Sequence, residues 1–96
     1  MLELRPICEN CAAPLPPDSG EAWICSMECT FCADCVEYLL KNTCPNCGGD
    51  FTARPYRPKV LLKKYPPTKV KIHKPVDLEA HQETLRKMNG IPAHMR

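Results

Sequence analysis

Cys8-Glu9-Asn10-Cys11, Cys25-Ser26-Met27-Glu28-Cys29, Cys32-Ala33-Asp34-Cys35 and Cys44-Pro45-Asn46-Cys47 hold all 8 cysteines of a 96-residue chain. These four close pairs decide how its first half folds. A C-x-x-C turn aims two thiolates at one point, which is half of a tetrahedral zinc site with Zn–S near ~2.3 Å. Two halves close a site, so four halves close two.

Working outward, the redox compartment decides between metal and disulfides. Met1–Ile7 has no apolar core of the kind a secretory signal needs, and no run of about 18 apolar residues occurs anywhere. The expectation is a cytoplasmic protein without membrane attachment, where thiols stay reduced and bind metal. In an oxidising compartment the same cysteines would form disulfides whose connectivity the sequence does not choose.

Iron–sulfur readings fit less well. Cys25, Cys29 and Cys32 match the cluster triad of radical enzymes that use S-adenosylmethionine, but such enzymes need a large barrel around the cluster. Cys29, Cys32 and Cys35 resemble part of a ferredoxin run, yet the next cysteine, Cys44, comes too late. No βαβ pattern surrounds any C-x-x-C, which argues against a thioredoxin-type role.

The flanking residues suit metal turns. Asp34-x-x-Glu37 reads as a capping-box helix start, with Cys35 in the first turn where the helix dipole favours a thiolate. Val36, Leu39 and Leu40 fall on one helical face, and Lys41-Asn42 suit the stop. After Cys44, Pro45 presets a turn dihedral and Gly48-Gly49 permit positive φ, so backbone N–H groups can approach the sulfurs. A module of about 50 residues buries too little to fold unaided, and each structural zinc contributes on the order of 10–16 kcal/mol. Trp23, Ile24, Phe31, Val36, Leu39, Leu40 and Phe51 are the expected apolar filler.

Two pairings of the cysteines are open. Interleaved pairing puts Cys8, Cys11, Cys32 and Cys35 on one ion and Cys25, Cys29, Cys44 and Cys47 on the other. Sequential pairing joins the first four and the last four. Residues 8–47 resemble a RING-type cross-brace in all-cysteine form, and that resemblance implies the interleaved sites, two Zn2+ ions and a small α+β, RING-like or treble-clef module. Ligase members of that class usually have an apolar residue before the second ligand, an aromatic ahead of the last pair and an arginine after it. Here those places hold Asn10, Lys41-Asn42-Thr43 and Gly48, so ubiquitin-ligase activity is the least favoured reading.

Arg5-Pro6-Ile7-Cys8, Phe31-Cys32-Ala33-Asp34-Cys35 and Cys44 to Gly49 also resemble a family of small bacterial proteins of unknown function, over about the first 58 residues. That family supplies no activity. Four pairs of thiolates fill two closed sites and leave no open metal position for catalysis, so no enzymatic activity is expected. His73, His81 and His94 read as solvated surface residues.

Charge divides the chain. Residues 1–52 carry 8 acids and 2 bases, and residues 53–96 carry 3 acids and 11 bases. With two zinc-bound cysteine sets the first half becomes more acidic still, since each thiolate adds a negative charge. Between Phe51 and Val76 there is no acid. Arg54, Arg57, Lys59, Lys63, Lys64, Lys69, Lys71 and Lys74 make this a basic arm, and Pro55, Pro58, Pro66, Pro67 and Pro75 forbid a long helix. Two readings of the arm are open: an extended or disordered segment, or two short strands at Val60-Leu61-Leu62 and Lys69 to His73 in a loose hairpin about Pro66-Pro67. An acidic protein partner or the acidic module itself is the expected contact of the arm. Nucleic acid is the alternative, with Tyr56 and Tyr65 as stacking groups, and a merely solvated tail is the third reading. Asp77 should N-cap a helix ending near Asn89, with Glu79 and Arg86-Lys87 suiting its dipole and Gly90 its C-terminus. Leu78, Leu85 and Met88 form its narrow apolar stripe. The expected organisation is a double-zinc module at 1–53, the arm at 54–76, a helix at 77–90 and a tail at 91–96. The expected role is that of a non-catalytic adaptor without a small-molecule substrate.

Overall fold

The structure is a computed structural model that describes residues 2–96. Strand β1 (Ala22–Ile24) and strand β2 (Thr30–Cys32) form a hairpin, and β3 (Thr52–Ala53) pairs with the other edge of β1. All pairing is antiparallel, with Trp23 opposite Phe31 and Ala53, and Ile24 opposite Thr30 and Thr52. The hairpin turn is the Cys25–Cys29 loop itself. Cys25 N–H donates to Cys29 O at 3.2 Å and Glu28 N–H to Cys25 O at 3.0 Å, with Glu28 at φ 63°. The strands are therefore short because a cysteine turn ends them.

The central helix differs from its sequence reading. Cys35–Leu39 is a π-helical turn, closed by Leu40 N–H donating to Cys35 O at 2.8 Å. Asp34 has helical dihedrals and its side chain makes no cap bond, so the expected capping box does not form. Widening the turn to five-residue closure keeps Val36 and Leu40 together and swings Leu39 aside. Val36 and Leu40 are buried, whereas Leu39 is 41% exposed. Lys41 and Asn42, at φ 52° and 57°, reverse the chain as expected.

The core joins Phe31 and Phe51, edge to face at 5.5 Å, with Val36, Leu40, Leu15, Ala22 and the buried cysteines. Trp23 lies half-buried against it. Leu4 and Leu15 are absent from the expected filler: Leu4 is buried beside Pro55, Pro58 and Leu61, and Leu15 is buried because residues 6–15 fold back on themselves. Ile7 bridges Pro14, and Leu15 N–H donates to Pro6 O at 2.8 Å.

Of the two readings of the arm, the hairpin does not form. Lys59–Leu62 is a helical turn, α1, following Pro58, and Leu61 N–H donates to Pro58 O at 2.9 Å. A proline before α1 and two after Tyr65 deprive Val60-Leu61-Leu62 of strand partners, and Val60 is 85% exposed. Residues 69–73 are not paired as a strand either. The segment instead lies along the N-terminus, with Thr68 N–H donating to Glu3 O at 3.0 Å and Lys74 N–H to Glu9 O at 2.7 Å.

Helix α2 (Leu78–Met88) follows. Asp77 caps it, its Oδ1 accepting from Glu79 N–H at 3.1 Å and Ala80 N–H at 3.2 Å. Gly90 leaves it at φ 75°. The docking face keeps only part of the expected stripe: Leu85 and Met88 are half-buried, Leu78 is exposed, and His81 is the buried residue of the helix. A short 3-10 turn at Ala93–Met95 ends the chain. No helix among the described residues is long and apolar enough to cross a membrane.

Candidate metal centres

Each cysteine pair sits on a different local device. Cys8–Cys11 is a knuckle in which Ala12 N–H donates to Cys8 O at 3.0 Å and Cys8 N–H to Ala13 O at 2.9 Å. Cys44–Cys47 repeats it, with Gly48 N–H donating to Cys44 O at 2.9 Å and Cys44 N–H to Gly49 O at 2.7 Å. The left-handed residue is Ala12 (φ 63°) in the first knuckle and Gly48 (φ 77°) in the second. Cys25–Cys29 is the hairpin turn, and Cys32 and Cys35 bracket the step from β2 to the π turn.

These devices bring the sulfurs of Cys8, Cys11, Cys32 and Cys35 within 4.8 Å of one another, and likewise those of Cys25, Cys44 and Cys47. The grouping alternates along the chain. A tetrahedral ion at ~2.3 Å from each sulfur requires sulfurs about 3.8 Å apart. Cys8 Sγ lies 3.8 Å from Cys35 Sγ, and Cys11 Sγ lies 3.6 Å from Cys32 Sγ. The first set therefore has the donors and the spacing of a four-thiolate centre. Cys29 stands outside the close set of three, although its Sγ accepts from Asn46 Nδ2 at 3.3 Å beside Cys44 and Cys47.

N–H groups surround the sulfurs. Met27 N–H donates to Cys25 Sγ at 3.3 Å and Asn46 N–H to Cys44 Sγ at 3.4 Å. Asn10 Nδ2 donates to Cys35 Sγ at 3.3 Å. Asn10 and Asn46 occupy the same place in their two knuckles, and each sends its amide to a sulfur of another cysteine pair. Sequence reading missed this repeat, although the shared Cys-x-Asn-Cys pattern signals it. Such donors favour thiolate over thiol.

The thiols resist ionising together without a cation. Burial pushes Cys25 up to about 11 and raises Cys32, Cys35 and Cys44 as well, with neighbouring thiols adding to it. Burial also opposes ionisation of Cys11 and Cys47, but there the N–H groups of Ala13 and Gly49, together with nearby thiols, outweigh it and the shift is downward. A divalent cation would reverse the balance at Cys25, Cys32, Cys35 and Cys44 by giving each thiolate an opposite charge.

The framework around the centres is polar but satisfied. Glu9 is buried, and its Oε2 accepts from Thr30 N–H at 2.6 Å and Arg5 Nη1 at 2.9 Å, pinning the first knuckle to β2. Arg54, read from sequence as part of the basic arm, is 4% exposed. Its Nη1 donates to Arg5 O at 2.8 Å and its Nη2 to Leu15 O at 3.1 Å and Pro16 O at 3.0 Å. Arg57 is half-buried and donates to Tyr65 O at 2.7 Å and Leu2 O at 2.6 Å. Both guanidinium groups are thus clamps on carbonyls, whereas Lys59, Lys63, Lys64, Lys69, Lys71 and Lys74 are exposed.

Of the three histidines, His73 and His94 are exposed as expected. His81 is a correction to that expectation: it is 3% exposed and its Nε2 lies 2.9 Å from Leu40 O. A carbonyl can only accept, so Nε2 donates to it, and Nδ1 is buried without a partner among the described residues. The signal was present in the sequence, since His81 precedes Leu85 and Met88 at helical spacing.

Comparison with known proteins places these features in a family. Residues 1–57 match the family described as "Protein of unknown function (DUF1272)". An uncharacterized protein of Rhizobium meliloti is 59% identical over 75 residues, which is 78% of this chain and 89% of that protein. No solved structure matches the chain.

Proposed function

The chain belongs to the DUF1272 family, and we propose that it is a structural zinc protein whose two centres fold a non-catalytic interaction module. Cys8, Cys11, Cys32 and Cys35 hold one ion. Cys25, Cys44 and Cys47 hold the other, with Cys29 drawn in from the hairpin turn as fourth ligand. This interleaving makes the module a cross-brace of RING-like or treble-clef kind. Zinc supplies charge neutralisation and tetrahedral cross-linking, and the chain supplies thiolates, N–H donors and knuckle geometry. The observation that carries the reading is the sulfur spacing of the first centre, 3.8 and 3.6 Å across two segments of chain. All-thiolate, closed donor sets suit zinc over hard cations.

Native mass spectrometry before and after a strong chelator tests this. The expected mass is the chain plus two zinc ions, with a shift to a broader charge distribution on chelation. A metal-free chain lighter by 8 hydrogens, all its cysteines in disulfides, would sink the reading. The adaptor role requires a protein partner that co-purifies after nuclease treatment.

A second reading, nucleic-acid binding, draws on the six exposed lysines of the acid-free arm. It requires affinity that falls steeply with salt, by a log–log slope of about 0.9 per phosphate neutralised on duplex DNA.

A further inference from the structure

We infer that Asn10 ties the first metal centre to the docking of the C-terminal segment, so that loading the one steadies the other. The inference rests on the zinc reading above and adds a coupling to it. Both ends of one amide are engaged. Nδ2 donates to Cys35 Sγ at 3.3 Å, and Oδ1 accepts from Val76 N–H at 3.0 Å. The orientation is dictated by the partners, since a backbone N–H can only donate and so must face the oxygen. The main chain beside it holds the same segment. Asn10 O lies 3.2 Å from His73 Nε2, and Glu9 O accepts from Lys74 N–H at 2.7 Å. Residues 73–76 therefore hang on the knuckle that carries Cys8 and Cys11. Asp77 then caps α2, and His81 fastens that helix to Leu40 O.

The coupling follows from acceptor strength. A metal-bound thiolate is a better acceptor than a thiol, because hydrogen bonds to ionised groups are shorter and about twice as strong. Loading the centre fixes Cys35 Sγ, tightens its bond to Nδ2 and holds the amide plane, which presents Oδ1 to Val76. Losing the metal frees the sulfur and with it the amide. Linkage makes the effect reciprocal, so a docked segment slows metal loss. Asn46 is the internal contrast. It gives the same Nδ2 donation, to Cys29 Sγ at 3.3 Å, but its Oδ1 accepts no bond from the C-terminal segment among the described residues.

The full chain loaded with cadmium-113 tests this by NMR, by release of metal to a chelator and by hydrogen exchange. Asn46→Asp identifies the resonance of the second centre. Asn10→Asp keeps an oxygen for Val76 but loses the donor to Cys35. Its expected result is a shifted first-centre resonance, release from that centre faster by about tenfold or more, and rising exchange over residues 74–88. Val76→Pro replaces no ligand and deletes the N–H that Oδ1 accepts, together with its side-chain packing against the core. It should speed release from the first centre and leave the second unmoved. Two bound cadmium ions with first-centre release unchanged in Val76→Pro overturn the coupling alone. A chain that takes up no metal overturns the zinc reading and the coupling together. If Asn10→Asp does not fold, Val76→Pro decides.

Discussion

Up to Ala53 each reversal of the backbone is closed locally: two knuckles with matching hydrogen bonds, a cysteine hairpin turn and a π turn. Beyond Ala53 the chain is fastened at separate points, by the clamps of Arg54 and Arg57, by Asn10 on Val76 and by His81 on Leu40. The first region has geometry without much apolar mass, so its order depends on what binds the sulfurs. The second has almost no core of its own, so its order depends on the first. Loss of order should therefore begin at the thiols and carry outward to the helix, with the docked segment acting back on the first centre only through Asn10.

The largest effect should come from removing metal. Each zinc centre contributes on the order of 10–16 kcal/mol, more than a domain of this size has in reserve. A chelator should unfold residues 2–53 and release α2 in the same transition, followed by near-ultraviolet dichroism and hydrogen exchange. If α2 stays protected in a chain stripped of metal, the order of dependence is the reverse. Within the second centre, Cys44→Ser should abolish metal binding, whereas Cys29→Ser should weaken it, because only Cys44 belongs to the close set of three.

Next in size is the joint between the regions. Arg54→Ala strands the carbonyl of Leu15 in a buried place and those of Arg5 and Pro16 in partly buried ones. Each orphaned buried group costs about 1–3 kcal/mol, so a loss of about 3 kcal/mol is expected in denaturant titration of the metal-loaded chain. Lysine at 54 should not rescue it, since an ammonium cannot span the same carbonyls as a planar fork. Lys63→Ala, fully within the exposed arm, should stay within about 0.5 kcal/mol. Equal effects at positions 54 and 63 would mean that the arm is one undifferentiated charge surface.

That contrast also marks how far the sequence could be read. The cysteine pairs, the positive-φ glycine after Cys47, the caps of α2 and the charge division were legible because each is a local signal. The roles of Arg54 and Arg57 were not, because nothing in a basic stretch says which side chain will turn inward, and His81 was signalled only by its helical spacing to Leu85 and Met88. The strand pattern at 69–73 failed for the same reason: alternation is a demand for a partner strand, and the segment found backbone at Glu3 and Glu9 instead. Leu39 was misplaced because a helical face assumes an α-helical period, and the turn that carries Cys35 is wider.

The two knuckles offer a smaller test inside the first region. Gly48→Ala meets a left-handed backbone and Met88 Cε at 3.1 Å from the added Cβ, so it strains the knuckle and pushes on α2 together. The expected cost is about 1–2 kcal/mol. Ala12→Gly relieves the same backbone strain in the first knuckle and should stabilise by up to about 1 kcal/mol, with chain entropy taking back part of the gain. Matching thermal shifts of opposite sign would establish that the knuckles are mechanically alike and differ only in what rests on them.

The smallest effect separates the two aspartates that precede helices. Both Asp34 and Asp77 read as caps in sequence, but only Asp77 accepts backbone N–H groups. Asp77→Ala should cost about 1 kcal/mol, the usual loss at an N-cap, and the loss should appear as faster hydrogen exchange across α2 with little change in global unfolding. Asp34→Ala should be silent within about 0.5 kcal/mol, because the turn it precedes is held by Cys35 and Leu40 and not by a side-chain cap. If Asp34→Ala proved the more damaging of the two, the π turn would need a capped start after all. The first region would then owe part of its order to ordinary helix chemistry, and the contrast between thiol-built and point-fastened halves would narrow.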